Sequence, residues 1–122
     1  MSFKLDNITS YKMGKNLSNE IWEKVITWDI LPKKTIGEQL VRAMDSVSAN
    51  IAEGFGRFHK KDKVKFYYNA RASVYESAHW INLALERNLI EKGIYDKWIG
   101  ILRKLPKEIN TLIKLTIENL KQ

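Results

Sequence analysis

The stretch "SANIAEGFGRFHKKDK", residues 48 to 63, joins two glycines to a run of cations. Glycines before cations are what a phosphate-cradling loop requires, because backbone N–H groups must approach the anion closely. Here "GFGR" supplies one GxG, at Gly54 and Gly56, on a helical rather than a strand pattern. A dinucleotide fingerprint needs a preceding strand and a third glycine. The Gly-Lys-Ser/Thr ending of a P-loop is absent. A second stretch, "ESAH" from Glu76 to His79, is the Glu-x-x-His element that di-metal helix bundles use twice. The other histidine, His59, has Gly56 three residues before it, so the second copy fails. No Ser or Asp sits in a recognisable nucleophile motif. The sequence therefore predicts no catalytic residue, no metal site and no cofactor, although carboxylates gathered by the fold would escape this reading.

The charge that follows the glycines is the stronger signal. Arg57, Lys60, Lys61, Lys63 and Lys65 face Asp62 alone, a net +4 (five minus one) out of the chain's +7. Cations near a helix N-terminus oppose the dipole by about 0.3–1 kcal/mol each, so local stability does not explain them. Such an excess suits RNA, DNA or an acidic protein, and it also suits a plain solvated face. About four neutralised phosphates on a single strand would give a log–log salt slope of about −3. Phe58, Phe66 and Tyr67 lie nearby, but their spacing suits core packing better than base stacking, so little sequence preference is expected.

These residues must be held by a fold, and the pattern is helical throughout. The chain has 122 residues, 44% of them apolar, which predicts one domain over 1–122 with 1–7 as a flexible arm. With no cysteine, disulfides and thiolate zinc sites are excluded and a reducing cytoplasm is permitted. No run approaches the roughly 18 apolar residues of a membrane span, and no cleavable leader is evident, which predicts a cytoplasmic protein without membrane contact.

The first pattern runs from about Ile8 to Trp28 along Leu17, Ile21, Val25 and Trp28. "DILPKKT" is expected to break it, since Pro32 disfavours helix at Leu31. The second, Ile36 to Phe55, carries Leu40, Met44, Val47 and Ile51. The third, Lys61 to Arg87, carries Val64, Tyr67, Val74, Ala78, Ile81 and Leu85, with Asn88 as a left-handed residue past its end. The fourth shows Ile94, Trp98, Ile101, Leu105, Ile109, Leu112 and Leu120, with Pro106 expected to kink or split it. This is an all-α reading: an up-down-up-down four-helix bundle. Phe66, Tyr68, Tyr75 and Trp80 make the third helix apolar around much of its girth, which predicts a second buried face between subunits.

Val47, Ile51, Gly54 and Phe58 continue one stripe, so Gly54 takes an inward position where another backbone can approach. Gly56 then suits a left-handed turn ending the helix. Asn50, Glu53 and Arg57 form a neighbouring polar stripe in which Glu53 and Arg57 have the favourable i,i+4 order. Asn69, Ser73 and Glu76 repeat that spacing on the third helix. The two stripes fit a polar lock across helices or subunits, or two solvated faces.

At "QLVRAMDSVSANIAEGFGR" and "KFYYNARASVYE" the sequence resembles a bacterial family, from about Tyr11 onward. It comprises the four-helix-bundle proteins encoded in intervening sequences of 23S ribosomal RNA genes, sometimes labelled S23 ribosomal proteins. The accessory variability determinant of diversity-generating retroelements is related. The most specific element is Asn50-Ile51-Ala52-Glu53-Gly54 with Gly56 and Arg57. Gln39, Leu40, Arg42, Ala43, Phe66, Ser73 and Glu76 also fall at the expected spacing. The resemblance implies an antiparallel bundle assembling into a ring-like homopentamer, with no enzymatic activity. In the retroelement branch it implies binding to a reverse transcriptase and nucleic acid through a basic surface. Ser48 stands where proline is common, His59 where Ser or Thr commonly caps helix three, and Lys63 where an aromatic is expected.

Overall fold

The computed structural model describes residues 4–119, and every regular element among them is helical. A 3-10 turn, Lys4–Asn7, leads into α1, Thr9–Val25. A single turn, Ile30–Pro32, passes through a π-helical turn, Lys33–Gly37, into α2, Glu38–Gly56. Then come α3, Lys60–Glu86, and α4, Lys92–Asn119. Leu5 in the opening turn packs against the core, and residues 1–3 of the expected arm lie outside the described residues.

The break after α1 falls at residues 26–29 rather than across "DILPKKT". Asp29 is extended at φ −61°, ψ 162°, and Leu31 and Pro32 are already helical. Pro32 stands in the first turn, where backbone N–H groups have no intrahelical partner, so its missing donor costs nothing. Gly37 ends the π-helical turn against α1: a Cβ there would lie 2.7 Å from Val25 Cγ1. Gly14 makes the matching approach from α1, where a Cβ would meet Val47 Cγ1 at 3.1 Å.

The core follows the predicted stripes closely on α1 and α2 and in part on α3. Leu17, Ile21, Val25 and Trp28 are buried, as are Leu40, Met44, Val47 and Ile51. On α3 the fully inward positions are Tyr67, Ala70, Val74, Ser77, Ile81 and Ala84, with Val64, Ala78 and Leu85 at the flank. On α4 the inner face is rotated from the expected one. Trp98, Ile99, Leu102, Leu105, Ile109 and Ile113 are buried, whereas Ile94, Ile101 and Leu112 are half-buried. Leu120 lies outside the described residues. α4 runs through Pro106 without being split.

The α3–α4 turn has the left-handed residue the sequence predicts, Asn88 at φ 61°. Asn88 N–H donates to Leu85 O at 3.1 Å and Leu89 N–H to Ala84 O at 2.8 Å. Those two bonds satisfy carbonyls that the helix end would leave open.

Burial pushes the Tyr67 phenol up to about 12. The folded state then holds its proton after the unfolded chain, near the ordinary value of 10.0, has lost it. This contribution to stability is complete below pH 10 and falls as pH rises through about 12. Tyr67→Phe should therefore flatten the alkaline fall in thermal midpoint. An identical slope in both proteins would contradict this origin.

Candidate nucleic-acid interface

The cationic segment is built on the seam where α2 meets α3. A Cβ on Gly54 would lie 2.7 Å from Tyr67 Cε1 and 2.9 Å from the Lys63 carbonyl. The glycine thus admits both the tyrosine ring and the α3 backbone, as its inward position predicts. Gly56 differs from expectation. Among the described residues no glycine has positive φ, and Gly56 ends α2 in helical geometry with open space where a Cβ would stand. The reversal is made instead by Arg57, extended at φ −76°, ψ 150°, whose N–H donates to Gly54 O at 3.1 Å. Any L-residue can adopt that conformation, so no left-handed turn is needed. Because α2 ends there, Phe58 leaves the stripe assigned to it and lies exposed. Of the three neighbouring aromatics only Tyr67 is core, and Phe66 is half-buried.

Arg57 pairs with Glu53 at 2.9 Å in the expected i,i+4 arrangement. Its guanidinium also covers the Phe66 ring, 4.7 Å from the centroid, with Lys65 5.9 Å away. Lys61 and Lys65 are exposed on α3. Lys63 is used differently. Its ammonium donates to Phe55 O at 2.7 Å and lies 5.6 Å from the Phe55 ring centroid. A cation on the last carbonyls of α2 is favoured by that helix's dipole. Partial burial holds the Lys63 ammonium below its usual pKa. Lys60 donates to Ile117 O at 3.0 Å, near the end of α4. Two lysines that oppose their own helix dipole thus serve the C-terminal ends of two neighbouring helices. The sequence cannot show this, since it depends on which helix ends lie beside α3.

Lys63→Met should remove the bond to Phe55 O and lower stability by about 1 kcal/mol. Lys61→Met should leave the melt unchanged, or raise it slightly by relieving the α3 dipole. Equal melts for Lys63→Met and the parent would contradict the capping role.

The two polar stripes do not lock to each other within the chain. Asn50 Nδ2 donates to Ser46 O at 2.8 Å and Ser73 Oγ to Asn69 O at 3.2 Å, each inside its own helix. Trp80 Nε1 donates to Glu76 Oε2 at 3.2 Å, also within α3. Apart from the Lys60 and Lys63 caps, the side-chain to side-chain bonds that cross helices involve residues the spacing did not single out. Ser18 Oγ donates to Asp45 Oδ1, Arg71 Nη1 to Asn110 Oδ1 at 2.6 Å, and Tyr95 OH to Asn82 Oδ1 at 2.8 Å. His59 makes no capping bond at the start of α3, as expected of an imidazole in place of Ser or Thr.

Among the described residues no group of His, Cys, Asp or Glu is placed to hold a metal ion. His79 is exposed and meets the Trp80 ring edge-on at 4.7 Å. No described helix is long and apolar enough to cross a membrane.

No curated protein matches the sequence. A solved structure is similar: a protein of unknown function from the S23 ribosomal protein family of Bacteroides thetaiotaomicron. The similarity has a TM-score of 0.75 at 17% identity, covering 87% of this chain and 99% of that one. At that identity it speaks for the fold alone. The sequence evidence is independent of it, because the family described as 23S rRNA-intervening sequence protein matches residues 6–111. The match takes in the seam, its glycines and its cations, so the chain belongs to the 23S rRNA-intervening sequence protein family.

Proposed function

We propose that this protein is a non-enzymatic, oligomeric scaffold that associates with nucleic acid through the basic surface at the α2–α3 junction. The carrying observation is that Arg57, Lys61 and Lys65 stay exposed on a junction fixed by Gly54, Tyr67 and the Lys63 cap. Cations mounted on a rigid corner can meet phosphates without first ordering a loop. The family's description names an intervening sequence of 23S rRNA, and single-stranded RNA is taken as the first probe.

The finer architecture belongs to the same reading. Lys60 with Ile117, Arg71 with Asn110 and Asn82 with Tyr95 pair rising numbers on α3 with falling numbers on α4. That register favours antiparallel neighbours in an up-down-up-down bundle. Pro106 deprives Leu102 of its backbone donor, which favours a kink in α4. A ring-like homopentamer needs an apolar face on each copy. Trp22, Ile26, Ile30 (69% exposed) and Leu31 (72%) supply one around the end of α1 and the turn that follows. Tyr68 and Tyr75, exposed on α3, would extend it to the face the sequence predicts between subunits. Around a ring, the basic corner would be repeated and its avidity multiplied.

A protein partner with an acidic surface, such as a nucleic-acid enzyme of the reverse transcriptase kind, would fit the same cations. Affinity capture with and without nuclease separates the two. Loss of all co-purifying material on nuclease treatment supports the nucleic-acid reading, and a nuclease-resistant partner supports the adaptor. Multi-angle light scattering should give several times the 14.3 kDa of one chain, and a clean monomer would remove the ring.

A further inference from the structure

Between α3 and α4 runs a groove of about 450 Å³, well away from the Lys63 cap. Its floor is apolar, made by Val74, Ala78, Ile99 and Leu102. Tyr75 forms one wall and is 65% exposed, a large aromatic surface left in water. Tyr95 stands opposite, half-buried, its hydroxyl given to Asn82 Oδ1 at 2.8 Å, so the Asn82 amide nitrogen is left for another acceptor. Arg103 and Lys107, one turn apart on α4, line the rim and are exposed. Among the described residues no carboxylate lines the groove. Of the acids next in sequence to lining residues, Asp96 is engaged by Lys92 and Glu76 by Trp80, while Glu108 lines a separate pocket with Thr111 and Leu112. Pro106 adds a further feature: having no N–H, it leaves the Leu102 carbonyl without its usual helical donor, and both residues line the groove.

This is an aromatic-walled slot with cations on its rim, a hydrogen-bonding amide and no carboxylate among the described residues. Such a slot suits a flat ring attached to phosphate. Its position adds a second argument. Lys61, Lys65, Tyr68 and Tyr75 are spaced four, three and seven apart, so they share one exposed stripe of α3. Tyr68 is 45% exposed, with the Arg71 guanidinium 4.7 Å from its ring centroid. From Lys61 to Tyr75 the stripe is about 21 Å long at roughly 1.5 Å per residue. Cations therefore lead along the stripe to exposed aromatic rings. That alternation is found where single strands bind, because phosphates follow the charges and unpaired bases stack on the rings. A duplex keeps its bases in the stack and would offer the slot nothing.

We infer that the α3–α4 groove receives an unpaired base of a single-stranded nucleic acid, stacked on Tyr75, with Arg103 and Lys107 on the adjoining phosphates. This rests on the nucleic-acid reading above and narrows it to single strands.

The test uses the whole protein and fluorescence anisotropy with a labelled single strand of ~12 nucleotides, the matching duplex, an abasic strand of equal length and free AMP. Removing a stacked base contact should weaken single-strand binding by about tenfold in Tyr75→Ala. Tyr75→Phe should stay near the parent, since the ring remains. Duplex binding should be equal in all three, and the abasic strand should bind the parent about as weakly as the base-bearing strand binds Tyr75→Ala. AMP should compete only at far higher concentration, because it lacks the phosphates that would reach Lys61 and Lys65. Unchanged single-strand affinity in Tyr75→Ala, alongside loss of binding in a Lys61→Glu, Lys65→Glu variant, would overturn the groove and leave the basic corner standing. Persistence of all binding in that charge variant would instead overturn the basic corner. A smaller mass by light scattering for Tyr75→Ala would identify the wall as a subunit contact and overturn the groove.

Discussion

Gly54→Leu is expected to lower the thermal midpoint by roughly 4–12 °C. The space a side chain would need is already taken by the Tyr67 ring at 2.7 Å and the Lys63 carbonyl at 2.9 Å. A backbone carbonyl in the first turn of a helix, aligned along the axis towards the donors of the next turn, cannot rotate aside as a side chain can. Overpacking of this kind costs about 1–3 kcal/mol, and a domain of this size loses roughly 4 °C per kcal/mol. Glycine in a helix is otherwise unfavourable by about 1 kcal/mol relative to alanine, so an open position should respond in the opposite sense. Gly56 provides that comparison two residues away, since nothing lies within 4 Å of a Cβ there. Gly56→Ala should leave the midpoint unchanged or raise it. A Gly54→Leu protein that melts at or above the parent would show that α2 and α3 do not meet at this glycine.

The second large effect concerns binding without stability. Lys61→Glu with Lys65→Glu should reduce affinity for single-stranded RNA by at least about tenfold at low salt, because two phosphate contacts become two repulsions. The same pair should not weaken the fold. Lys61 lies in the first turn of α3, where a carboxylate is favoured by the helix dipole by about 0.3–1 kcal/mol. Neither residue holds a helix end, unlike Lys60 and Lys63. Reversing Lys63 would confound the two effects, since its ammonium caps α2. A binding loss accompanied by a collapse in midpoint would point to a structural role for Lys61 or Lys65 that their exposure does not suggest.

Much of the fold was legible because helical periodicity reports burial directly. Leu40, Met44, Val47 and Ile51 sit four, three and four apart and are all fully buried. Gly54 was legible for the same reason, as a missing side chain on an inward stripe. Misreadings arose where a local preference depends on position. Pro32 reads as a breaker, yet in a first turn it is compatible with helix. Gly56 reads as a left-handed cap, yet Arg57 turns the chain in an ordinary extended conformation. The cations were legible as a cluster but not as individuals. Whether a lysine is a solvated charge or a cap depends on which helix end lies within reach, and that is a tertiary fact. The α3–α4 groove was hidden for the same reason. Tyr75 and Arg103 are far apart in sequence, and only the packing of α3 on α4 brings them to one groove.

The central claim is that exposed cations at the α2–α3 junction bind nucleic acid. The most direct measurement is the affinity of the parent protein for a generic single-stranded RNA across a series of salt concentrations. Of the five clustered cations, Lys60 and Lys63 hold helix-end carbonyls, leaving Arg57, Lys61 and Lys65 for phosphate. Neutralising about three phosphates at the junction should by itself make log affinity fall against log salt with a slope of roughly −2, and the added contacts of Arg103 and Lys107 would steepen it towards roughly −3.5. Failure to bind at low salt, or an affinity indifferent to salt, would contradict the claim.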